Sequence, residues 1–365
     1  AQAICAQKHS AASPQLLPGV RLCRAMGCSS SSSQSVAAKT SGKKIIAVFG
    51  ATGAQGGGVA RAILADGQFS VRALTREAAR AAELKDMGAE VVECDANVLD
   101  QVKTALAGAH AAFFVTNAFD PTSCATPEVE TEQAKNFANA AATVSLKHAI
   151  WSTTEDPRIE VPLSSDALPT LTRKSKDGSE RQYKIPHFET KADGDAFFAN
   201  SSVPTTFLLP GFYYDNFFTY FPLKRGEDKT LSVTIPMGET KMAWIAAADI
   251  GKVVLGVFKA GPDTTKGKYL GVSSAHLTMD EIATILSSGL GETVVHNKSV
   301  TAEIFATFGF PGCEELANMF KYERDVGDAY CGRRSVEETK KYHSELTSFE
   351  AFVEANKNKF LPLPA

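Results

Sequence analysis

The residues best suited to chemistry are three evenly spaced glycines in Gly50-Ala51-Thr52-Gly53-Ala54-Gln55-Gly56, followed directly by Gly57 and Gly58. The chemistry they suit is the binding of a pyrophosphate. Glycine tolerates the positive φ angles of a tight turn, and a missing side chain lets the backbone approach an anion closely. A helix opening after such a turn offers its unpaired N–H groups and positive dipole end to negative charge. The glycines, with Thr52, Ala54 and Gln55, are therefore the expected phosphate cradle.

The same motif needs a strand before it and a helix after it, and both are legible. Ile45-Ile46-Ala47-Val48-Phe49 is a short apolar run, as in a parallel strand covered on both faces. Val59 to Leu64 reads as a helix. Ser70 to Thr75 is a second strand, Ala78 to Met87 a second helix, and Glu90 to Cys94 a third strand. Val98 to Leu106 is helical and Ala111 to Val115 is a fourth strand. A long helix over 128–144, a fifth strand over 148–152, a helix over 188–200 and a sixth strand over 205–209 follow. This alternation predicts an α/β fold, a Rossmann-type doubly wound parallel sheet.

Residues 155–186, rich in Pro, Ser, Asp and Lys, read as a long irregular insertion. After Pro210 the texture changes. Aromatics crowd at Phe212, Tyr213, Tyr214, Phe217, Phe218, Tyr220 and Phe221, and helices are expected over 249–258 and 278–286. The aromatic group reads as core or a lobe interface, with an apolar substrate pocket as the alternative. Asp249 reads as a helix N-cap. The expected organisation is a disordered segment over 1–43, a nucleotide-binding domain over 44–210, and a smaller, interleaved C-terminal lobe over 211–365.

Ligands of such sheets lie at the carboxyl ends of the strands. The second strand ends in Thr75-Arg76, where an NAD site would place Asp or Glu. A guanidinium can instead hold a 2′-phosphate by a planar two-point contact, so Arg76, with Arg80 beyond it, favours NADP(H). Glu77 is a counter-signal. Asp95 follows the third strand, either bonding the adenine amino group or capping the next helix. Thr116 and Asn117 follow the fourth strand, near the expected nicotinamide ribose. Ser152 ends the fifth strand.

Composition excludes other classes. Hydrophobic residues make up 44% of the 365 and charged residues 22%, a soluble globular balance. A net charge of −3, with no basic recognition helix, argues against direct nucleic-acid binding. No apolar run is long enough to span a bilayer as a helix. The seven cysteines show no C-x-x-C pair and no metal-ligand spacing, which fits a reducing compartment and inert thiols and predicts no metal site. Residues 1–44 lack Asp and Glu and carry a serine tract over 29–33. Three readings stand for this segment, in this order: a disordered tail, a lipidated N-terminus, and an organelle transit peptide. Lipidation would place myristate on Gly27 and palmitate on Cys28 if Met26 is the start, giving a two-chain membrane tether.

The stretch Val48 to Gly57, with Val71-Arg72 and Thr75-Arg76, resembles the NmrA-like family, atypical members of the short-chain dehydrogenase/reductase superfamily. The resemblance continues through Phe114 to Asn117, Leu209-Pro210 with Asn216, Met237-Gly238, Gly309 to Gly312, and Leu316 to Phe320, with the NADPH-sensing animal members as its nearest type. It implies NADP(H) binding by the glycine loop, Arg76 and Arg80. It also implies a regulatory role responding to the NADPH/NADP⁺ ratio, exerted through a protein partner and a cofactor-dependent homodimer, in the cytoplasm and nucleus. Typical reductases of the superfamily use Tyr-x-x-x-Lys, in which tyrosine protonates the forming alkoxide. The matching stretch here is His187-Phe188-Glu189-Thr190-Lys191, with lysine kept and tyrosine replaced. Histidine transfers protons near neutral pH, so His187 and Lys191 are the candidate catalytic pair. The favoured expectation is that Lys191 only holds the ribose and the chain is a sensor. The alternative is an NADPH-dependent reductase of quinones or small carbonyl compounds.

Overall fold

The first strand, β1 (Ile45–Val48), is apolar because both of its faces are covered. Ile46 and Val48 pack toward one helical layer, and Ala47 with the following Phe49 packs toward the other. Around it the chain lays down α1 (Ala54–Asp66), β2 (Ser70–Thr75), α2 (Ala82–Asp86), β3 (Glu90–Glu93), α3 (Leu99–Leu106), β4 (Ala111–Phe114), α4 (Pro121–Ala125), α5 (Glu128–Thr143) and β5 (His148–Ser152). A hairpin of β6 (Leu171–Lys174) and β7 (Glu180–Tyr183) precedes α6 (Pro186–Ala199) and β8 (Thr205–Pro210). The structure is a computed structural model, and it describes residues 42–360. Gly27, Cys28 and the rest of the expected N-terminal tail through Ser41 lie outside the described residues.

Beyond β8 come β9 (Phe212–Tyr213), β10 (Lys224–Arg225), β11 (Leu231–Val233), β12 (Met242–Ile245), α7 (Ala247–Ala260), α8 (Pro262–Thr265), β13 (Tyr269–Val272) and β14 (Ala275–Leu277). The chain then forms α9 (Met279–Leu290), β15 (Val294–His296), α10 (Ala302–Ala306), α11 (Cys313–Val326), α12 (Asp328–Gly332), α13 (Val336–Lys340) and α14 (Phe349–Phe360). The central sheet is parallel throughout, in the order β13-β8-β5-β4-β1-β2-β3. The direction of winding reverses between β1 and β4, so the crevice for a ligand lies at their carboxyl ends.

The expected doubly wound sheet is therefore present. Helices α1 and α7 cover one face through a core that includes Val59, Ile63, Ile250 and Val254. Helices α3, α5 and α6 cover the other through Val102, Phe137, Ala141 and Phe198. A third core gathers Tyr214, Phe217, Phe221, Trp244, Phe320 and Phe349. The aromatic run after Pro210 is thus mostly core.

Three expectations need correction. Residues 155–186 are not irregular throughout: β6 and β7 pair antiparallel from Leu171↔Tyr183 to Lys174↔Glu180. Gly178, at φ +83°, makes the turn between them, and only the end residues Leu171 and Tyr183 are buried. The apolar alternation that marks a strand is missing from its polar middle. Tyr183 is buried at the end of this hairpin. The region after Pro210 contains α8 and α10–α14 besides α7 and α9; α10 and α13, five residues each, start on the side-chain caps Thr301 and Ser335 and are too short to show an apolar period. Asp249 is not an N-cap. It lies inside the first turn of α7, fully buried, and accepts from Lys252 Nζ (2.9 Å) and from the Thr347 backbone N–H (2.6 Å).

Helix α1 is held by direct backbone contact with α7. A Cβ at Gly251 would lie 2.2 Å from the Gly58 carbonyl, and one at Gly58 would lie 2.9 Å from the Ala247 carbonyl oxygen. Gly251→Ala is expected to destabilise the fold by about 3 kcal/mol, the upper range for overpacking. Gly332→Ala, where an added Cβ meets nothing within 4 Å, is expected to leave stability unchanged. Denaturant melts of the two variants check this contrast.

Candidate dinucleotide site

The turn from β1 into α1 forms the floor of the crevice. Gly50 adopts φ +63°, and a Cβ there would sit 2.8 Å from Val115 Cγ1. At Gly56 a Cβ would collide with the Gly50 carbonyl oxygen at 2.3 Å. The Gly53 N–H closes the turn on the Gly50 carbonyl oxygen at 2.9 Å. Gly53 caps α1 without any side-chain hydrogen bond, and the first turn holds no acidic residue. Gly50, Gly53 and Ala54 are exposed, Thr52 and Gln55 half-buried, and Gly56 buried. The result is a helix N-terminus with no side-chain cap and no acidic residue in its first turn, a setting suited to a pyrophosphate.

At the end of β2, Thr75 folds its hydroxyl onto the backbone of Glu77. Arg76 projects outward with its side chain 62% exposed, and Nη2 reaches Asp120 Oδ2 at 3.0 Å. Arg80 lies exposed on the short turn that follows. Asp95 accepts from the backbone and side-chain nitrogens of Asn97, at 2.9 and 2.8 Å. Val98 is the N-cap of α3, so capping is not the role of Asp95.

Beyond β4, a buried carboxylate organises the floor. Glu130 Oε1 accepts from Thr116 Oγ1 (2.6 Å) and Lys191 Nζ (2.8 Å), and its Oε2 accepts from Thr190 Oγ1 (2.5 Å). Lys191 Nζ also donates to Thr116 Oγ1 at 2.8 Å. Burial by itself would raise the Glu130 carboxyl, but the Lys191 ammonium and the Thr116 and Thr190 hydroxyls hold it below its usual range. One helical turn before Lys191, His187 is also engaged. Its backbone N–H donates to Glu315 Oε1 (2.8 Å), and its ring Nδ1 pairs with the same oxygen. Both residues are buried, and the Phe119 ring lies 5.2 Å from the imidazole.

A second polar chain crosses the crevice beside the glycine loop. Ser152 Oγ donates to Gln55 Oε1 at 2.7 Å, and Gln55 Nε2 donates to the Tyr213 hydroxyl at 2.5 Å. Burial raises the Tyr213 phenol strongly, so it stays protonated.

A family model described as the NmrA-like family matches residues 42–353. The chain belongs to the NmrA-like family. It is 28% identical over 308 residues to the NmrA-like family domain-containing oxidoreductase FrzB of a Cladobotryum species, covering 78% of this chain and 85% of that relative. Its fold matches crystalline NmrA, a negative transcriptional regulator in complex with NADP, with a TM-score of 0.66 at 21% identity, covering 86% and 94% of the two chains. It also matches the NADPH-dependent quinone oxidoreductase QOR2 of Escherichia coli, solved with NADPH, with a TM-score of 0.63 at 19% identity, covering 85% and 98%.

Within this NmrA-like frame, Gly50 to Gly56, Arg76, Thr116, Asn117 and Lys191 all follow or face the carboxyl ends of β1, β2 and β4. The Thr116 hydroxyl, however, turns to Glu130, and the Asn117 Oδ1 accepts the Phe119 N–H at 3.2 Å. Sequence reasoning missed three residues, Glu130, Glu315 and Asp120, and the role of Gln55 as partner of Ser152 and Tyr213. For Glu130 a signal existed. It heads the buried stripe Ala134, Phe137, Ala138 and Ala141 on α5, where a carboxylate needs a cation. No such local signal pairs Glu315 with His187 across 128 positions. Among the described residues no cluster suits a metal and no helix is long and apolar enough to cross a membrane. The buried thiols of Cys94 and Cys331 are pushed up to about 11 by burial, as expected of inert cysteines.

Lys191→Met is expected to cost about 3–5 kcal/mol at neutral pH, because it leaves the buried Glu130 carboxylate without its cation. The folded carboxyl titrates below its unfolded value, so the pair stabilises above the ordinary carboxylate range and the benefit fades as pH falls through and below it. The gap between wild type and variant should therefore narrow in acid, and urea melts across pH would show it.

Proposed function

We propose that this chain binds NADP(H) and reports its occupancy to a protein partner, without turning over a substrate as a typical dehydrogenase does. The observation that carries the cofactor reading is the pairing of a bare helix N-terminus at Gly50–Gly56 with an outward-facing guanidinium at Arg76. The residues fit the group. Glycines clear the space for a pyrophosphate, and Arg76 suits the 2′-phosphate through charge and planar donors. In this reading Arg80, exposed on the turn after β2, adds a second cation for the 2′-phosphate, and Asp95, just after β3, bonds the adenine amino group.

The regulatory part rests on the opposite end of the crevice. A general acid needs placement and freedom to exchange its proton. Lys191 is bound to Glu130 and Thr116, and His187 to Glu315, so both candidate groups serve internal contacts. The likeness to NmrA, described as a negative transcriptional regulator with bound NADP, points the same way. In this proposal the chain resembles the NADPH-sensing animal members. It responds to the NADPH/NADP⁺ ratio through cofactor-dependent self-association or a regulatory partner in the cytoplasm and nucleus. Acylation at Gly27 and Cys28 would tether it to a membrane. Sensing demands that two conformers differ in cofactor affinity.

One observation favours a second reading, a reductase of quinones or small carbonyl compounds. The buried His187–Glu315 pair sets one imidazole nitrogen against a carboxylate, an arrangement that orients histidine for proton transfer, and QOR2 shares the fold. Its cofactor would supply a hydride, and His187 or Lys191 would hold the proton.

Titration with NADPH, NADP⁺ and NADH is expected to show at least about tenfold tighter binding of the phosphorylated nucleotides, or ~1.4 kcal/mol. Arg76→Glu should abolish that preference. Incubation with NADPH and a panel of quinones and aldehydes should give no steady oxidation. Turnover that disappears in Lys191→Ala would replace the sensor by the reductase.

A further inference from the structure

The ion pair between Arg76 and Asp120 has a consequence for how occupancy is transmitted. We infer that Asp120 competes with the 2′-phosphate for Arg76, and that this exchange releases the 117–125 segment from the rim of the crevice. The inference rests on the reading of Arg76 as the 2′-phosphate ligand.

The two members of the pair are unequal. The Arg76 side chain is 62% exposed, whereas Asp120 is 19% exposed and fixed to its own segment. Asp120 Oδ1 accepts the Thr122 N–H at 3.2 Å as the N-cap of α4, while Oδ2 takes Arg76. A phosphate monoester brings a charge of about −1.5 to −2 and three acceptor oxygens, against a single charge on the carboxylate. It offers the guanidinium a planar two-point contact as well. An exposed ion pair is weak enough to be displaced by such a competitor. Once Arg76 turns to the phosphate, Asp120 loses its cation and faces a dianion. Like charge then drives the carboxylate away.

Asp120 does not move alone. The preceding residue, Phe119, lays its ring 5.2 Å from the His187 imidazole and 6.1 Å from the Tyr220 ring. A side chain added at Gly312 would lie 3.5 Å from the Phe119 ring. Gly312 is the N-cap of α11, and α11 carries Glu315, the partner of His187. The segment therefore spans from the 2′-phosphate end of the crevice to the C-terminal helices. NADP(H) and NAD(H) differ at one group, and that group acts on one end of this strap. Asp120 thus serves two purposes: it sets the affinity for the 2′-phosphate, and it couples that phosphate to α11.

Asp120→Asn removes the competing charge and keeps the N-cap, since asparagine caps as well as aspartate. NADP⁺ and NAD⁺ differ only in the 2′-phosphate, so the full chain is titrated with both, and hydrogen exchange is followed over residues 117–126 and 307–316. In the wild type, NADP⁺ should raise exchange in these segments and NAD⁺ should not. In Asp120→Asn, NADP⁺ should bind about two- to fivefold tighter, the range of one exposed ion pair, with NAD⁺ unchanged. Exchange in the same segments should already be raised without nucleotide. Equal tightening of both nucleotides, or unchanged NADP⁺ affinity with unchanged exchange, overturns the inference. Arg76→Ala separates this failure from that of the cofactor reading. If it erases the NADP⁺ preference while Asp120→Asn has no effect, only the competition is wrong. If it leaves the preference intact, Arg76 is not the 2′-phosphate ligand and both fall together.

Discussion

Helix α1 can present an open N-terminus at the end of β1 only because glycines remove the side chains from the backbones it touches. Gly56 lets the first turn close over Gly50, and Gly58 with Gly251 lets α1 and α7 meet backbone to backbone. Any Cβ at these contacts would fall at distances that real structures avoid. The glycine-rich stretch is thus two devices in sequence. Its first half leaves the start of α1 without a side-chain cap, as the proposed pyrophosphate site needs, and its second half packs α1 against α7. The crevice at the β1–β4 reversal follows from this placement.

Polar groups do the corresponding work on the other side of the crevice. Glu130 is nearly inaccessible, and a carboxylate there is tolerable only because Lys191, Thr116 and Thr190 satisfy it. The same logic recurs where the C-terminal helices close over the sheet. Arg334, only 1% exposed, donates through Nη2 to Glu155 at 2.8 Å and through Nε to the Pro210 carbonyl at 3.0 Å, with the Tyr330 ring against its guanidinium. These pairs confer position more than stability, because desolvation offsets most of their attraction. They fix the ends of β5 and β8 relative to α12 and α13, and Glu315 fixes His187 relative to α11.

Fold and chemistry separate clearly in this chain. The chain belongs to the NmrA-like family, is similar to an oxidoreductase of that family, and shares its fold with a transcriptional regulator and a quinone oxidoreductase. The glycine loop is suited to either role. The difference lies in what the groups near the far end of the crevice are free to do. Lys191 and His187 are each anchored by a carboxylate, and Gln55 ties Ser152 to Tyr213. In the proposed reading, a ligand that displaces one of these internal contacts disturbs its neighbours.

The sequence by itself determined the doubly wound sheet, the glycine turn that opens α1 and the guanidinium at the end of β2. Those features are local: apolar runs of strand length, a turn that only glycine permits, and a residue directly following a strand. The hairpin over 171–183 and the five-residue helices α10 and α13 were less legible, since a polar strand middle and a helix of barely one turn carry little apolar period. What tertiary structure alone decided is the pairing of charges distant along the chain. Arg76 meets Asp120 from 44 positions away, Lys191 meets Glu130 from 61, and His187 meets Glu315 from 128. Asp120 stays at the surface as the N-cap of α4, whereas Glu130 and Glu315 look like ordinary helix acids until folding removes them from water. Burial then makes an unpaired charge costly, and the nearest opposite charge in space becomes its partner.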